Sequence, residues 1–468
     1  MKTHPMKIDR MKMKSRTGHS SYVTLISLVA TLGGLLFGYD TAVISGAIGF
    51  LRVHFGLDPA MTGWIASSAL VGCVIGCAVA GIFSDRYGRK KALLAAACLF
   101  TLSATGSALA REGYELVLWR MLGGVGIGIA SMLSPLYIAE VAPAPVRGRL
   151  VSYNQFAIIF GMVVVYFVNY YIAGLHDEAW NMETGWRWMF GSGTIPAILF
   201  FILLFLVPES PRWLAGMSLT GKARTVLTRI GGERYAEKEL QSIRDSLAEG
   251  TGGISMLMKG NVRKVLIIGV VLAILQQVTG INVFLYYGPE IFRKLGTQTD
   301  TALLQTIAVG IFNLGFTVVA IFSVDKLGRR PLMLLGSAGM GICLFSMGLI
   351  AYFQQAQLWV LAFILGYISF FALSVGPVTW VILSEIFPTR VRGRAISLAT
   401  IFLWSANWLV SQTFPMLNES PVLVDKFHHG FSFWIYGIMC IILFLVVYRL
   451  VPETKGRTLE DIESGFRK

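Results

Sequence analysis

The sequence predicts an all-α membrane protein: twelve transmembrane helices in two pseudo-symmetric six-helix bundles joined by a cytosolic helical linker. Three observations carry this. Apolar runs of about 20 residues, the length that crosses about 30 Å of hydrocarbon, recur along the chain. Only 14% of the residues are charged and 55% are hydrophobic, whereas soluble domains carry about 25% charged residues. Charged motifs of the first half also return in the second. Asp85-Arg86-Tyr87-Gly88-Arg89-Lys90 recurs as Asp325-Lys326-Leu327-Gly328-Arg329-Arg330, 240 positions later. Glu140 and Arg147 recur as Glu385 and Arg392, and Pro208-Glu209-Ser210 recurs as Pro452-Glu453-Thr454. Such a duplication is how many transporters build a central site that opens alternately to each side.

Taken in order, residues 1–20 hold six Lys or Arg and read as a cytosolic tail without fixed structure. Residues 21–207 form the first bundle, with spans near 22–50, 62–82, 91–110, 113–135, 151–173 and 186–207. The first span lacks a small-residue cleavage pattern and more spans follow it, so it reads as a retained helix and not a signal peptide. Span 1 carries Gly33, Gly34, Gly38 and Gly46, and span 4 carries Gly123, Gly124, Gly126 and Gly128. Small residues at this spacing let backbones approach closely in lipid. Residues 208–263, the longest polar interval, form the linker, with short amphipathic helices expected around KARTVLTRI and AEKELQSIRDSLA. Residues 264–451 form the second bundle, with spans near 264–288, 302–323, 331–353, 357–382, 393–416 and 431–451, and residues 452–468 a second cytosolic tail. Outer loops near 174–186 and 417–430 are modest, as suits antiparallel neighbours.

The formal charge of +14 would suit nucleic acid, but its distribution does not. With both termini in the cytosol, 33 of the 40 Lys and Arg fall on the cytosolic side. Arg52, Arg111, Arg187, Arg293, Lys294 and Lys426 fall outside, and Arg120 falls within a span. This is the positive-inside pattern, and it makes the lipid bilayer the partner of the basic charge. All five cysteines lie in spans without a neighbouring His or carboxylate, so they read as packing residues and neither a metal site nor a disulfide is expected. The six histidines lie outside the spans, and no catalytic His–carboxylate pair or phosphate-cradling Gly-Lys-Ser/Thr motif occurs. An enzyme, a cofactor and an ATP-driven pump are therefore not expected, nor is an obligatory protein partner evident.

Asp40 and Arg120 are ionisable residues inside apolar spans, a costly placement that marks function by default. Counting along their helices puts both at a similar depth, so they can pair. A carboxylate beside an arginine ionises readily, whereas the same group away from it in apolar surroundings holds its proton. A conformational change that makes or breaks the pair would drop or pick up a proton. A static structural pair is the alternative.

Gln276-Gln277-Val278-Thr279-Gly280-Ile281-Asn282 places three amides within seven residues of an apolar span. In lipid each would lack a hydrogen-bond partner. Facing a cavity, they offer both donors and acceptors, which match sugar hydroxyls. On a straight helix Gln276 and Asn282 point about 120° apart; a bend at Gly280 would let them converge. Interhelical bonding between amides is the bland reading. Gln155 in span 5, Asn313 in span 8 and Trp380 in span 10 extend the polar set. Trp380 follows Gly376-Pro377, a helix break tolerated where backbone lines a cavity. Phe37, Tyr286 and Trp404 are aromatics able to wall or gate that cavity.

The paired charged motifs are expected to latch the cytosolic side shut when the outer side is open. They comprise Asp85, Arg86, Arg89, Glu140, Arg147 and Glu209, with Asp325, Arg329, Glu385, Arg392 and Glu453. Topology alone does not explain them, because the acidic members recur too.

The sequence also resembles the sugar porters of the major facilitator superfamily. The resemblance covers the chain after about residue 20 and rests on GGLLFGYDTAVISG, SDRYGRKK, PESPRWL, QQVTGINVFLYYGPEIF, VDKLGRRP, GPVTWVILSEIFP and PETKGRTLEDIE. Within the family, LVATLGGLLFGYDTAVISG and SYNQFAIIFG are most similar to bacterial D-xylose–proton symporters. The resemblance implies the major facilitator fold in a bacterial inner membrane, and proton-coupled uptake of a monosaccharide, D-xylose first. A hexose or arabinose symporter and a uniporter are the alternatives, and a sugar sensor a remote one. It implies that Asp40 carries the proton with Arg120 as partner, and that Gln155, Gln276, Gln277, Asn282 and Trp380 hold the sugar. Asn313, Gly376, Phe37, Tyr286 and Trp404 would line the pocket. The pattern departs at Met162 and Leu403, where those symporters carry glutamine.

Overall fold

The computed structural model describes residues 6–248, 257–258, 260–294, 298–353, 357–388 and 391–455 of the 468-residue chain. Among them helices dominate and no strand occurs. The first half comprises α1 (Met6–His54), α2 (Pro59–Tyr87), α3 (Arg89–Leu109), α4 (Gly113–Val141), α5 (Ala144–Ala173) and α6 (Glu178–Leu206). The second comprises α7a (Gly260–Val278), α7b (Ile281–Lys294), α8 (Thr299–Leu327) and α9 (Arg329–Tyr352), followed by α10a (Gln357–Phe370), α10b (Gly376–Ile386), α11 (Arg392–Asn418) and α12 (Phe431–Leu450). Eleven helical segments among the described residues are long and apolar enough to cross a membrane. The twelfth span, α11, matches its neighbours in length but is more polar, carrying Ser405, Asn407, Ser411, Gln412 and Thr413.

Small residues decide how closely the helices pack. A Cβ added to Gly38 of α1 would lie 1.8 Å from the Ile158 carbonyl of α5, and one on Gly161 of α5 would lie 2.2 Å from the Leu35 carbonyl of α1. Between α2 and α4, Gly124 and Gly72 face the Ala69 and Met121 carbonyls at 1.9 and 2.0 Å in the same way. At these crossings any side chain would separate the backbones. The halves meet where α2 runs along α11, α5 along α8, and α7b against α1.

Among the described residues, α7, α10 and α6 contain a break or a change of helix type. α7 breaks at Thr279-Gly280, where Gly280 takes φ +92°. α10 contains a π-helical turn, Phe371–Val375, directly before Gly376-Pro377. α6 begins with a short helix, Glu178–Trp180, and a second π-helical turn, Asn181–Gly185, so much of the expected loop near 174–186 is helical. The loop near 417–430 likewise holds the helix Pro421–Phe427.

The linker contains the two expected helices, Thr220–Gly231 and Glu233–Ala248, after a shorter one, Pro211–Gly216. Its residues 249–256 and 259 lie outside the described residues, as do 456–468 of the C-terminal tail. At the other end of the chain the expected tail differs. The α1 backbone is helical from Met6, continuous with the first span, in keeping with a stretch rich in Met, Lys and Arg, good helix formers.

Candidate functional site

Asp40 and Arg120 meet between α1 and α4. Arg120 Nη1 donates to the Asp40 backbone carbonyl at 2.8 Å and to Asp40 Oδ2 at 3.3 Å. The Arg120 side chain is 1% exposed and that of Asp40 14%. The guanidinium also lies over the Phe190 ring, 5.5 Å from its centroid. A buried cation is thus held by one carboxylate, one carbonyl and a ring face. The carboxylate is the more accessible partner of the pair.

The α7 amides converge as a relay. Asn282 Nδ2 donates to Gln277 Oε1 at 2.5 Å, Gln277 Nε2 to Gln276 Oε1 at 3.3 Å, and Gln276 Nε2 to the Gly376 carbonyl at 2.8 Å. The break at Gly280 lets Asn282 turn back toward Gln277. Gly376 acts through its backbone: the carbonyl at the start of α10b is where the relay ends. Trp380, one turn further on, is 37% exposed. Phe37 of α1 and Trp404 of α11 touch edge to face across the halves at 5.4 Å. Tyr286 is buried on α7b beside the Asn407 side chain. Asn313 is buried within α8, and Gln155 is half-buried on α5; neither is brought into the relay. Met162 and Leu403 are both buried.

The repeated charges form two nodes with matching bonds. In the first, Arg89 makes a forked pair with Glu140, Nε to Oε2 at 3.1 Å and Nη2 to Oε1 at 3.2 Å, and reaches Asp85 at 3.1 Å. Ser210 Oγ donates to Glu140 at 2.5 Å. Glu209 accepts the Arg89 and Lys90 backbone N–H groups at 2.9 and 3.1 Å, capping the start of α3, where the helix dipole favours an anion. In the second node Arg329 pairs with Glu385 at 2.9 Å and Thr454 Oγ1 donates to Glu385 at 2.6 Å. Glu453 accepts the Arg329 and Arg330 N–H groups at 3.0 and 3.1 Å. Gly88 and Gly328, at φ +99° and +94°, make room for the two capping carboxylates.

Even the flanking arginines repeat: Arg147 Nε donates to the Ala142 carbonyl at 3.2 Å and Arg392 Nε to the Phe387 carbonyl at 3.3 Å. Arg86 is exposed beside the Tyr87 ring. The Asp325 side chain lies outside the described residues. The pairs named here lie within each half rather than between halves. Burial pushes the Glu209 carboxyl up despite its N–H donors. Burial also acts to raise Glu453, but the N–H groups of Lys455, Arg329, Arg330 and Thr454 outweigh it and hold that carboxyl below its ordinary value.

A family model described as "Sugar (and other) transporter" matches residues 26–466. The chain belongs to that family. The D-xylose-proton symporter of Escherichia coli (strain K12) is 49% identical over 474 aligned positions, covering 95% of this chain and 96% of the relative. The arabinose-proton symporter of Bacillus subtilis (strain 168) is 44% identical over the whole of both chains. A solved structure described as the inward open conformation of the xylose transporter XylE from E. coli superposes with a TM-score of 0.84 at 47% identity. It covers 95% of this chain and 99% of that one. This protein is thus a multi-pass sugar transporter of the major facilitator type, not an enzyme.

In this sugar transporter, bonds between the halves gather at the end opposite the linker. Arg52 of α1 pairs with Glu419 beyond α11, and Lys294 of α7b reaches the same carboxylate at 2.7 Å. Gln412 of α11 accepts from Ser67 Oγ at 3.1 Å and donates to the Ala60 carbonyl at 2.9 Å, both on α2. Thr299 of α8 donates to Glu178 of α6 at 2.7 Å. That end is closed. Sequence reasoning singled out neither Gln412 nor Asn407. Asn407 is 2% exposed and accepts from Ser411 Oγ at 3.1 Å. The signal for both was present, amides within a spanning segment, the same signal that marked α7.

Proposed function

We propose that the protein carries D-xylose and a proton together into the cell by alternating access. Its place is the bacterial plasma membrane, with the linker and both termini cytosolic. The Lys and Arg excess at the linker end supports that orientation, and the similarity to the 49%-identical D-xylose-proton symporter supports the sugar and the coupling. The single observation that carries the coupling is the buried Arg120–Asp40 pair. Protonation of Asp40 neutralises it and releases Arg120; ionisation restores the pair. Here the outer end is shut and the pair is made, the arrangement expected after the proton has left inward.

The α7 relay, with Gln155 and Asn313, offers donors and acceptors to the sugar hydroxyls, and the Trp380 indole a flat face to its ring. Phe37, Tyr286, Gly376 and Trp404 wall the pocket. The bundles 21–207 and 264–451 rock about this site; the charged nodes, made within each half while the outer end is shut, brace the cytosolic helix ends of each bundle and are not a latch between the halves. Arabinose is the second reading, favoured by the 44%-identical arabinose-proton symporter; Met162 and Leu403, where D-xylose symporters carry glutamine, leave the choice of sugar open.

Purified protein in liposomes tests this. An inward proton gradient should drive accumulation of labelled D-xylose, and adding sugar should alkalinise the medium. Asp40→Asn should abolish accumulation while sparing exchange. Uptake without alkalinisation would make the protein a uniporter, and full accumulation by the variant would remove Asp40 from the coupling.

A further inference from the structure

Three tyrosine hydroxyls in this molecule donate to backbone carbonyls that helix geometry leaves without their usual partner. In an α-helix the carbonyl of residue i accepts from the N–H of residue i+4, and a proline at i+4 removes that donor. Leu285 stands four residues before Pro289 within α7b, and Tyr166 of α5 donates to the Leu285 carbonyl at 2.9 Å. Ser411 stands four residues before Pro415 within α11, and Tyr287 donates to the Ser411 carbonyl at 2.8 Å. At the α7 break the Val283 N–H turns to the Gly280 carbonyl, and Tyr367 donates to the Thr279 carbonyl at 2.9 Å.

Two of these bonds lie within the second half: Tyr287 joins α7b to α11, and Tyr367 joins α10a to the break in α7. The bond from Tyr166 is different, because α5 belongs to the first half and α7b to the second. Tyr166 is 2% exposed and Leu285 4% exposed, so the bond is dry. Gly310 of α8 closes over the Tyr166 ring, which a Cβ there would meet at 2.9 Å. An unpartnered carbonyl in such surroundings is costly, which makes its replacement donor valuable only while the two helices stay together.

We propose that Tyr166 is the positioning residue that holds the outer half of α7 closed over the sugar site, by supplying from the opposite bundle the hydrogen bond that Pro289 removes. When α7b swings away from α5, the bond breaks and the water that follows the sugar hydrates the Leu285 carbonyl. The bond therefore exists in the shut, dry state and not in the open, wet one, and biases the equilibrium between them. This inference rests on the reading that the outer end opens and closes during transport.

The test uses full-length protein in lipid nanodiscs with spin labels at Val53→Cys and Val422→Cys. These positions lie at the outer end of α1 and in the helix Pro421–Phe427, and are 58% and 63% exposed. The exposed Cys98 is replaced by Ser. Distances are read by double electron–electron resonance. Tyr166→Phe should raise the ratio of open to closed populations by about three- to ten-fold, the weight of one hydrogen bond. Pro289→Ala restores an N–H to the Leu285 carbonyl. In that background Tyr166→Phe should change the ratio by less than about two-fold, because the hydroxyl is no longer the carbonyl's replacement donor.

An unchanged distribution in Tyr166→Phe overturns the proposal, as does an equally large shift with Pro289→Ala present. Proton-driven D-xylose uptake by the unlabelled parent protein is measured in parallel. Its absence would defeat the D-xylose reading, while the distance shifts still decide the role of Tyr166.

Discussion

Gln276 stands at the centre of the amide relay, donating to Gly376 and accepting from Gln277. Replacing it with alanine removes a donor and an acceptor from the pocket. Gln276→Ala should weaken D-xylose binding by at least about ten-fold in calorimetry, since buried polar groups left unpaired cost about 1–3 kcal/mol each; unchanged affinity would exclude the residue from the site. Such residues were legible in the sequence because polar groups stand out against an apolar run. Asp40, Arg120 and the three amides declared themselves by that cost alone. Tyr166 did not, because tyrosine reads as ordinary packing and its partner is a main-chain atom 119 positions away. The only written clue was Pro289, four residues past Leu285. Gly376 was legible as a helix break, but its use as the acceptor of Gln276 required the π-helical turn that sets its carbonyl.

The helices themselves were largely foreseeable, since length and hydropathy fix a spanning segment. Their ends and irregularities were less so. Gly280 announced a bend, whereas the π-helical turns at Asn181–Gly185 and Phe371–Val375 follow from packing that hydropathy does not encode. Glycine spacing showed that helices approach closely without showing which pairs do. The pairs prove to be α1 with α5 and α2 with α4, and this gives an element-scale prediction. In Gly38→Val the new side chain would begin 1.8 Å from the Ile158 carbonyl, a backbone atom that cannot step aside. The yield of monodisperse protein on size-exclusion chromatography should fall several-fold. Gly81→Ala, in α2 with nothing within 4 Å of the added Cβ, should behave as the parent does.

At the scale of the whole molecule, closure of the outer end depends on pairs that opening must break. Burial acts to raise the Glu419 carboxyl, but Arg52 and Lys294 outweigh it and hold the group below its ordinary value of 4.5. Opening parts Glu419 from Arg52 of the other half, whereas Lys294 belongs to its own half, so the carboxyl of the open form moves up toward the ordinary value. The contribution to closure is therefore fully present above that value and is lost as pH falls through the lowered one. Acidification below about pH 4.5 should raise the open population by about two- to five-fold, the modest range of water-exposed pairs. Spin-label distances across the outer end would show this, and Glu419→Gln should be more open at neutral pH and should flatten the pH response.

A quieter consequence lies in the α7 carboxamides, which bond to one another and to the backbone through Asn282, Gln277, Gln276 and Gly376. At the proposed site a sugar hydroxyl would exchange with these internal bonds instead of meeting free groups, so part of each new contact would be offset by the bond it replaces.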